Sequence, residues 1–313
     1  MELSRGRGAR PLRDVADARR LREILQAERP EILHVWHTRD HVLARRAIGA
    51  RRGAGPRIVR SWSGSEPPSR WPWTWLLFSR WTDGTLCTSS ESARLHGEFS
   101  GRPARAFLGA VEPDRFRPGS PSLELRRSLG VAGEGPVIGV IARVQPQRRF
   151  DLVLEALRRL ADDDATVRLL VLGRGTHLER VARKPAERLG LLDRVIFAGY
   201  RAGDYVDAIR CMDLLTFLVP GSDGSCRALL EAQACGVPAV VSRRGALPEI
   251  VIDGETGLVV EEEVGALVDA WRSVLSRPGR RARMAAAAHA RARSAFAPER
   301  LASEVNAFYR ELL

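Results

Sequence analysis

The constraint that bears hardest on this chain is an alternation. From residue 136 to residue 260, short apolar runs rich in Val, Leu and Ile are separated by amphipathic segments of helical period. PVIGVIAR ends at Arg143, residues 150–160 follow with helical spacing, and ATVRLLVLG returns as an apolar run. Residues 177–189 read as a helix, RVIFAG as a strand, residues 205–211 as a helix and LLTFLV as a strand. A helix at 226–234 and the strands VPAVVS and TGLVV continue the series. Runs without polar alternation suit strands covered on both faces, and their succession with helices suits a parallel sheet. Ligands of such a sheet belong at the C-terminal ends of its strands. Helical patterns at 263–276, 278–296 and 298–313 close the chain, and Pro278 sits in a first turn, where proline is tolerated.

The first third repeats the theme less cleanly. Residues 32–36, 57–62, 85–88 and 106–108 read as strands, with helices at 14–28, 40–49 and 90–99. The stretch 111–122, VEPDRFRPGSPS, has no periodicity and reads as an interdomain linker. The expected class is therefore α/β. The predicted units are a Rossmann-like domain over 1–118, a doubly wound domain over 119–296 and a helix over 297–313 that packs back toward the first domain.

Composition narrows the function. No apolar run approaches the ~20 residues that a membrane helix needs. MELSRGRGARPLRD lacks the apolar core of a secretory signal, which predicts a cytoplasmic protein. Cys87, Cys211, Cys226 and Cys235 form no CxxC pair and read as buried thiols, so no metal site is expected from them. The formal charge is +12, and all but one of the 50 basic residues are arginine. No basic run is interleaved with aromatics as in a nucleic-acid module, so nucleic acid is excluded as a partner.

The densest chemistry lies in residues 220–262. Asp223 and Glu231 flank a turn that opens a helix, and Gly224, Ser225 and Cys226 lead into its N-terminus, where free N–H groups favour an anion. Arg227 just beyond is a further candidate for phosphate or acceptor, and a second punctuated loop follows at 245–249. Arg143 ends a strand and Arg148 lies five residues on. Both can point into the interdomain cleft. Asp162, Asp163 and Asp164 imitate a metal-binding DxD motif, but they follow a helix at the far end of the sheet and read as a solvated loop.

These motifs, in this order, resemble family 4 glycosyltransferases of the GT-B fold. RVQPQRRFDLVLEAL resembles the family's Arg…Lys-Gly…Asp-Leu-Leu-Leu-Glu-Ala-Leu signature, and Leu172-Gly173-Arg174-Gly175 its strand-end glycine loop. Asp223 and Glu231 fall on the Glu-x7-Glu positions, GALPEIVIDGETGLVV on Gly-Gly-x-Pro-Glu…Asp-Gly…Thr-Gly-Leu, and GAVEPDRFRP on the linker. The resemblance implies two Rossmann-like domains facing a cleft and retaining transfer of a hexose from a nucleotide-sugar, without metal or other cofactor. It gives Arg143 and Arg148 the diphosphate, Asp223 the transferred sugar, Glu231 the ribose, and Gly173 and Tyr200 the surroundings of the nucleotide. Arg148 replaces the family's lysine, and Asp223 is one methylene shorter than its glutamate.

The acceptor side departs further. The family's first strand, with its glycine-rich loop, has no counterpart here: either the true start lies upstream of Met1 or the loop is lost. A sheet lacking that strand exposes an edge that a protein partner or an oligomer would cover. Ser63 stands where the family has a histidine near the reacting sugar, and His37 is a candidate acceptor contact. Five of the seven tryptophans fall within 62–81. They read either as a packed loop and helix start or, beside Arg70 and Arg80, as a peripheral contact with an anionic membrane. An envelope glycan or lipid-linked acceptor is expected. The alternative is a non-catalytic relative that binds nucleotide-sugar as a subunit or scaffold.

Overall fold

The computed structural model describes residues 11–49, 55–64, 68–133, 135–221 and 225–313. The chain divides into two compact units, one of residues up to Phe107 together with Ala302–Leu313, the other Leu108–Leu301.

Among its described residues the first unit holds a parallel sheet in the order β1 (Ile32–Val35), β2 (Arg57–Trp62), β3 (Gly84–Cys87) and β4 (Ala104–Ala106). Helices α1 (Pro11–Glu28), α2 (Thr38–Ile48), α3 (Pro72–Arg80) and α4 (Ser90–Ser100) connect or flank these strands. The start of α4 is set by Ser89, whose hydroxyl accepts from the Ser92 N–H at 3.2 Å; Gly101 ends it in the left-handed region at φ 64°. Alternate residues of β2 serve opposite faces of the sheet. Val59 packs with Leu86 and with Phe308 of the last helix, α13 (Pro298–Leu312), whereas Ile58 packs with Val35 and Ala44. Burying Phe308 stabilises this unit by about 2 kcal/mol.

On the second side of β2 the interior is polar. Arg60 is buried and faces Thr85 across the β2–β3 register. Its Nε and Nη1, the Thr85 hydroxyl and both ring nitrogens of His96 have no hydrogen-bond partner among the described residues. The His96 ring packs against both Trp62 and Phe78, at centroid distances of 4.7 and 4.9 Å, and those two rings meet each other at 5.5 Å. Burial lowers the Arg60 guanidinium to about 10.

The second unit is a six-stranded parallel sheet. Its strands are β5 (Val137–Ile141), β6 (Arg168–Leu172), β7 (Val195–Gly199), β8 (Leu214–Phe217), β9 (Ala239–Ser242) and β10 (Gly257–Val260), in the order β10-β9-β8-β5-β6-β7. Helices α5 (Leu123–Ser128), α6 (Phe150–Asp163), α7 (Lys184–Arg188), α8 (Tyr205–Arg210), α9 (Arg227–Ala234), α10 (Leu247–Ile250), α11 (Val264–Leu275) and α12 (Pro278–Ala295) accompany them. Each face of the sheet carries its own core. Ile138, Val140, Leu169 and Val171 pack against α6 and α11, while Val137, Leu170 and Leu172 share a core with α8, α9 and α12. Trp271 of α11 is fully buried and donates its indole N–H to the Thr216 hydroxyl at 2.9 Å, which satisfies its one polar atom.

Several elements differ from the sequence reading. Residues 111–122 are no free linker: Val111 and Phe116 are buried in the second unit's core, and the Val111 N–H donates to the Phe296 carbonyl at 2.9 Å. β4 lies two residues earlier than read. The helix at 177–189 is a wide π-type stretch, Glu179–Arg183, followed by α7, where Pro185 lacks the N–H for regular continuation. The tryptophan-rich segment contains the full helix α3 rather than only a helix start.

Candidate active site

In the second unit the connection from β5 leads to β6 on one side, and β8 lies on the other side of β5. The loops leaving these strands diverge there, which opens a crevice at the C-terminal ends of the strands. A cavity of about 1040 Å³ occupies it. The β5 loop supplies Arg143, Gln145 and Arg148, the β6 loop Gly173, Arg174 and Thr176, and the β7 loop Tyr200 and Arg201. The β8–α9 connection supplies Gly221, Ser225, Arg227 and Glu231, and Arg115 and Tyr205 complete the wall. Glycine is required at the β6 end. A Cβ on Gly173 would meet the Ala142 carbonyl oxygen at 2.0 Å, and one on Gly175 the Val144 oxygen at 2.2 Å. This close approach joins the β5 and β6 loops into one floor.

Glu231 is the carboxylate of the cavity wall among the described residues. The Tyr205 hydroxyl donates to its Oε2 at 2.7 Å. Burial raises the Glu231 carboxyl above its ordinary range, opposed by the Tyr205 bond and by the positive charges of Arg227 and Arg115. Burial, reinforced by Glu231, pushes the Tyr205 phenol far up, so it stays a protonated donor. The other charged side chains that line the cavity are arginines.

The arginines divide by what they hold. Arg143 is exposed on the wall and has no carboxylate partner among the described residues. Arg148 also lines the cavity, but its Nη1 donates to the Val219 carbonyl at 2.9 Å and to that of Pro220, so it braces the β8–α9 loop. Arg149, next to it, adopts left-handed geometry at φ 57° and ion-pairs with Glu262, which also holds Arg244. Arg201 pairs with Asp204. The Arg174 guanidinium lies 5.0 Å from the centroid of the Tyr200 ring, and that residue is 68% exposed.

Arg143, Arg148, Gly173, Tyr200, Ser225, Arg227 and Glu231 thus line a single cavity. Asp223 and Gly224 lie outside the described residues. Cys226, which precedes α9, has its side chain buried in the apolar core and is not among the residues that line the cavity. The loop 245–249 does not line the cavity, although a Cβ on Gly245 would lie 3.4 Å from the Pro220 ring. His37 and Ser63 belong to the first unit, just past the C-terminal ends of the adjacent parallel strands β1 and β2. Both are exposed, and the His37 backbone N–H donates to Asp40 at 3.1 Å.

His34, His37 and His41 do not assemble. His34 binds Ser61 at 2.8 Å and Tyr309 at 2.7 Å, while His41 is buried against the Trp81 carbonyl at 3.0 Å. Among the described residues no group of three or more His, Cys, Asp or Glu is placed to hold a metal. Asp163 ion-pairs with Arg272 and Asp164 accepts from Thr166, ahead of the N-terminal end of β6 and away from the cavity at the C-terminal strand ends. Sequence reasoning missed Arg115, Arg174, Arg201 and Tyr205 as cavity residues. A signal existed for Arg174, between two required glycines; none existed for Tyr205, whose partner is 26 residues away.

The chain thus comprises two parallel α/β units, one with a cavity at a strand-end switch point. The model of glycosyl transferases group 1 matches residues 122–291, and that of glycosyltransferase family 4 matches residues 3–107. The chain belongs to the group 1 glycosyl transferases. It is 29% identical over 305 residues to a lipopolysaccharide core biosynthesis mannosyltransferase of Rhizobium meliloti, covering 94% of this chain and 85% of that one. It is 30% identical to a GDP-mannose-dependent phosphatidylinositol monomannoside mannosyltransferase of Mycolicibacterium smegmatis, covering 82% of this chain and 71% of that one. It spans about half the length of related D-inositol 3-phosphate glycosyltransferases, 46% for that of Rhodococcus jostii. The fold matches that of Anabaena HepE, solved with UDP and glucose, at a TM-score of 0.78 and 20% identity over 94% of this chain and 81% of that one. A glycosyltransferase from Rickettsia africae matches at 0.82 and 16% identity, covering 99% and 84%. The architecture is GT-B.

Proposed function

We propose that the protein transfers a hexose from a nucleotide-sugar to an envelope glycan or lipid-linked acceptor, with retention of anomeric configuration. The observation that carries this reading is the pairing of Glu231 with Tyr205 in one strand-end cavity with Arg143, which has no carboxylate partner among the described residues. The Glu231 carboxylate accepts from the ribose hydroxyls, with Tyr205 fixing its orientation. Arg143 faces the diphosphate, and Arg148 holds the loop against which it lies. As the glycosidic bond breaks, negative charge grows on the leaving diphosphate, and a guanidinium already in place stabilises it without reorganising. The leaving phosphate takes the acceptor's proton, so no separate base is invoked. Arginine supplies the charge that a metal supplies elsewhere, and the reaction is metal-independent. His37 and Ser63 contribute to the acceptor side. The mannosyltransferase and glycosyltransferase relatives support the reaction class, and the lipopolysaccharide relative supports an envelope acceptor. The enzyme works at the inner face of the membrane.

The test is a melting-temperature panel with UDP, GDP, ADP and their sugars, followed by donor hydrolysis with and without envelope lipid extract. At about 100 times Kd, the matching nucleotide stabilises the fold by ~2.7 kcal/mol. The expected result is one responsive base and turnover of its sugar conjugate. No response to any nucleotide overturns the reading, and response without turnover leaves a binding protein in place of an enzyme.

A further inference from the structure

We propose that Trp36 is the platform on which a pyranose ring of the glycan acceptor stacks, held in place by a Tyr309–His34–Ser61 hydrogen-bond chain. The proposal deepens the glycan-acceptor reading above and rests on it. Trp36 follows β1 at its C-terminal end, the side of a parallel sheet where ligands bind. It is 60% exposed, and one face of its indole lies on the His34 ring, with centroids 4.1 Å apart and planes 19° from parallel. The exposed area therefore belongs to the opposite face and the rim. His34 is pinned from both sides. Its Nε2 is bonded to the Ser61 hydroxyl at 2.8 Å and its Nδ1 to the Tyr309 hydroxyl at 2.7 Å. A neutral imidazole has one donor and one acceptor nitrogen, and a hydroxyl serves as either, so both bonds are satisfied together. Burial, and after it the Arg60 charge, lowers His34 to about 4 and keeps the ring neutral. Ser61 lies on β2 and Tyr309 on α13, so three elements fix the ring that backs Trp36.

The surroundings select a sugar. A pyranose presents a face of C–H groups and a rim of hydroxyls, so one flat apolar surface with hydrogen-bonding groups beside it holds the ring. Trp36 supplies the surface. Its chain neighbours His37 and Thr38 are exposed and polar, and Ser63, also exposed, stands just past the end of the adjacent strand β2. The His37 side chain is 82% exposed. A stable protein–protein interface needs a different surface, about 800 Å² on each side around an apolar core. A single indole flanked by polar side chains matches one ring of a glycan instead. An indole without backing would turn among rotamers, and its ligand would have to order it. The stack on His34 orders it before binding.

The experiment is steady-state transfer to envelope lipid extract by the full chain, alongside saturation-transfer NMR with a panel of methyl hexosides. Trp36→Ala is expected to raise the apparent KM for the extract about tenfold. The change in kcat is smaller, as for a contact made equally in ground and transition states. Trp36→Tyr keeps a ring and most of the affinity. Tyr309→Phe frees one His34 nitrogen and raises KM by a smaller factor, but adds nothing to Trp36→Ala, which marks Tyr309 as a positioning residue behind the indole. In the NMR experiment the wild type transfers saturation to the C–H protons of at least one methyl hexoside, and Trp36→Ala does not. An unchanged KM in Trp36→Ala overturns the proposal. If the extract supports no turnover, saturation transfer that is absent from the wild type, or equal in wild type and variant, overturns it. So does a dimer in sedimentation that Trp36→Ala converts to monomer, which would assign the indole to a second copy. The nucleotide melting response is scored on the same samples. Its absence from the wild type sinks the donor reading, whereas a normal response with no effect of Trp36→Ala on KM sinks the platform alone.

Discussion

Arg143→Ala is expected to lower turnover 100- to 1,000-fold while changing nucleotide affinity far less. Arg143 is exposed on the cavity wall and holds no carboxylate among the described residues, so its removal leaves none of their buried groups unpaired. What is lost is a preorganised donor aimed at charge that develops only as the leaving diphosphate forms. Loss of one such donor typically costs about 10²–10³ in kcat. Arg143→Lys restores the charge without the forked geometry and should recover part of the rate. Arg148→Ala is a contrasting case. It also releases the Val219 and Pro220 carbonyls, so melting temperature falls along with rate. Initial rates with titration of the nucleotide alone separate the two. A parallel loss of affinity and rate in Arg143→Ala would show uniform binding rather than transition-state stabilisation.

Acid should unfold the first unit through its buried histidines. Burial lowers His41 and His96 to about 4, and the nearby Arg60 guanidinium acts in the same direction. Both side chains are fully buried. Their folded values lie below the unfolded value near 6.5, so the unfolded chain binds protons first. Stability is therefore complete above pH 6.5 and drains away as pH falls toward 4. Each histidine contributes up to about 3 kcal/mol to this loss. The two together approach the 5–15 kcal/mol that holds a typical domain. His34 is lowered to about 4, by burial first and then by Arg60, and is only partly buried, so its share is smaller. Six of the seven tryptophans lie in the first unit, and Trp271 alone in the second, so emission reports the first unit selectively. His96→Phe is the decisive variant. The ring already packs against Trp62 and Phe78, and neither nitrogen has a partner among the described residues, so phenylalanine keeps the packing and removes the titration. Its acid transition should move to lower pH with little change at pH 8. An unchanged midpoint would show that His96 is not part of the switch.

How much of this could be read beforehand depends on burial. β5, β6 and β8 are covered on both faces, so PVIGVIAR, ATVRLLVLG and LLTFLV stand out as continuous apolar runs, and the doubly wound second unit follows from them. Glu231 and Arg143 were legible because strand ends and helix starts fix where a side chain goes. The bonds of Arg148 to the Val219 and Pro220 carbonyls were not, because what a side chain in an irregular loop meets depends on what packs there. α3 was half-hidden because tryptophans and prolines carry little helical signal, although Pro72 is well placed in a first turn. Val111 and Phe116, in a stretch that reads as linker, are claimed by long-range packing that local spacing does not encode.

In the proposed function the Glu231–Tyr205 pair is the ribose seat of a nucleotide-sugar site. Calorimetric titration of the responsive nucleoside diphosphate into wild type, Glu231→Ala and Glu231→Gln tests it most directly, with the 2′,3′-dideoxy nucleotide as a control. Hydrogen bonds to a charged acceptor are worth about 1.5–3 kcal/mol, so Glu231→Ala should weaken binding roughly 10- to 150-fold. The dideoxy nucleotide should bind wild type and variant equally. An undiminished affinity in Glu231→Ala, or the same loss with and without the ribose hydroxyls, would contradict the account.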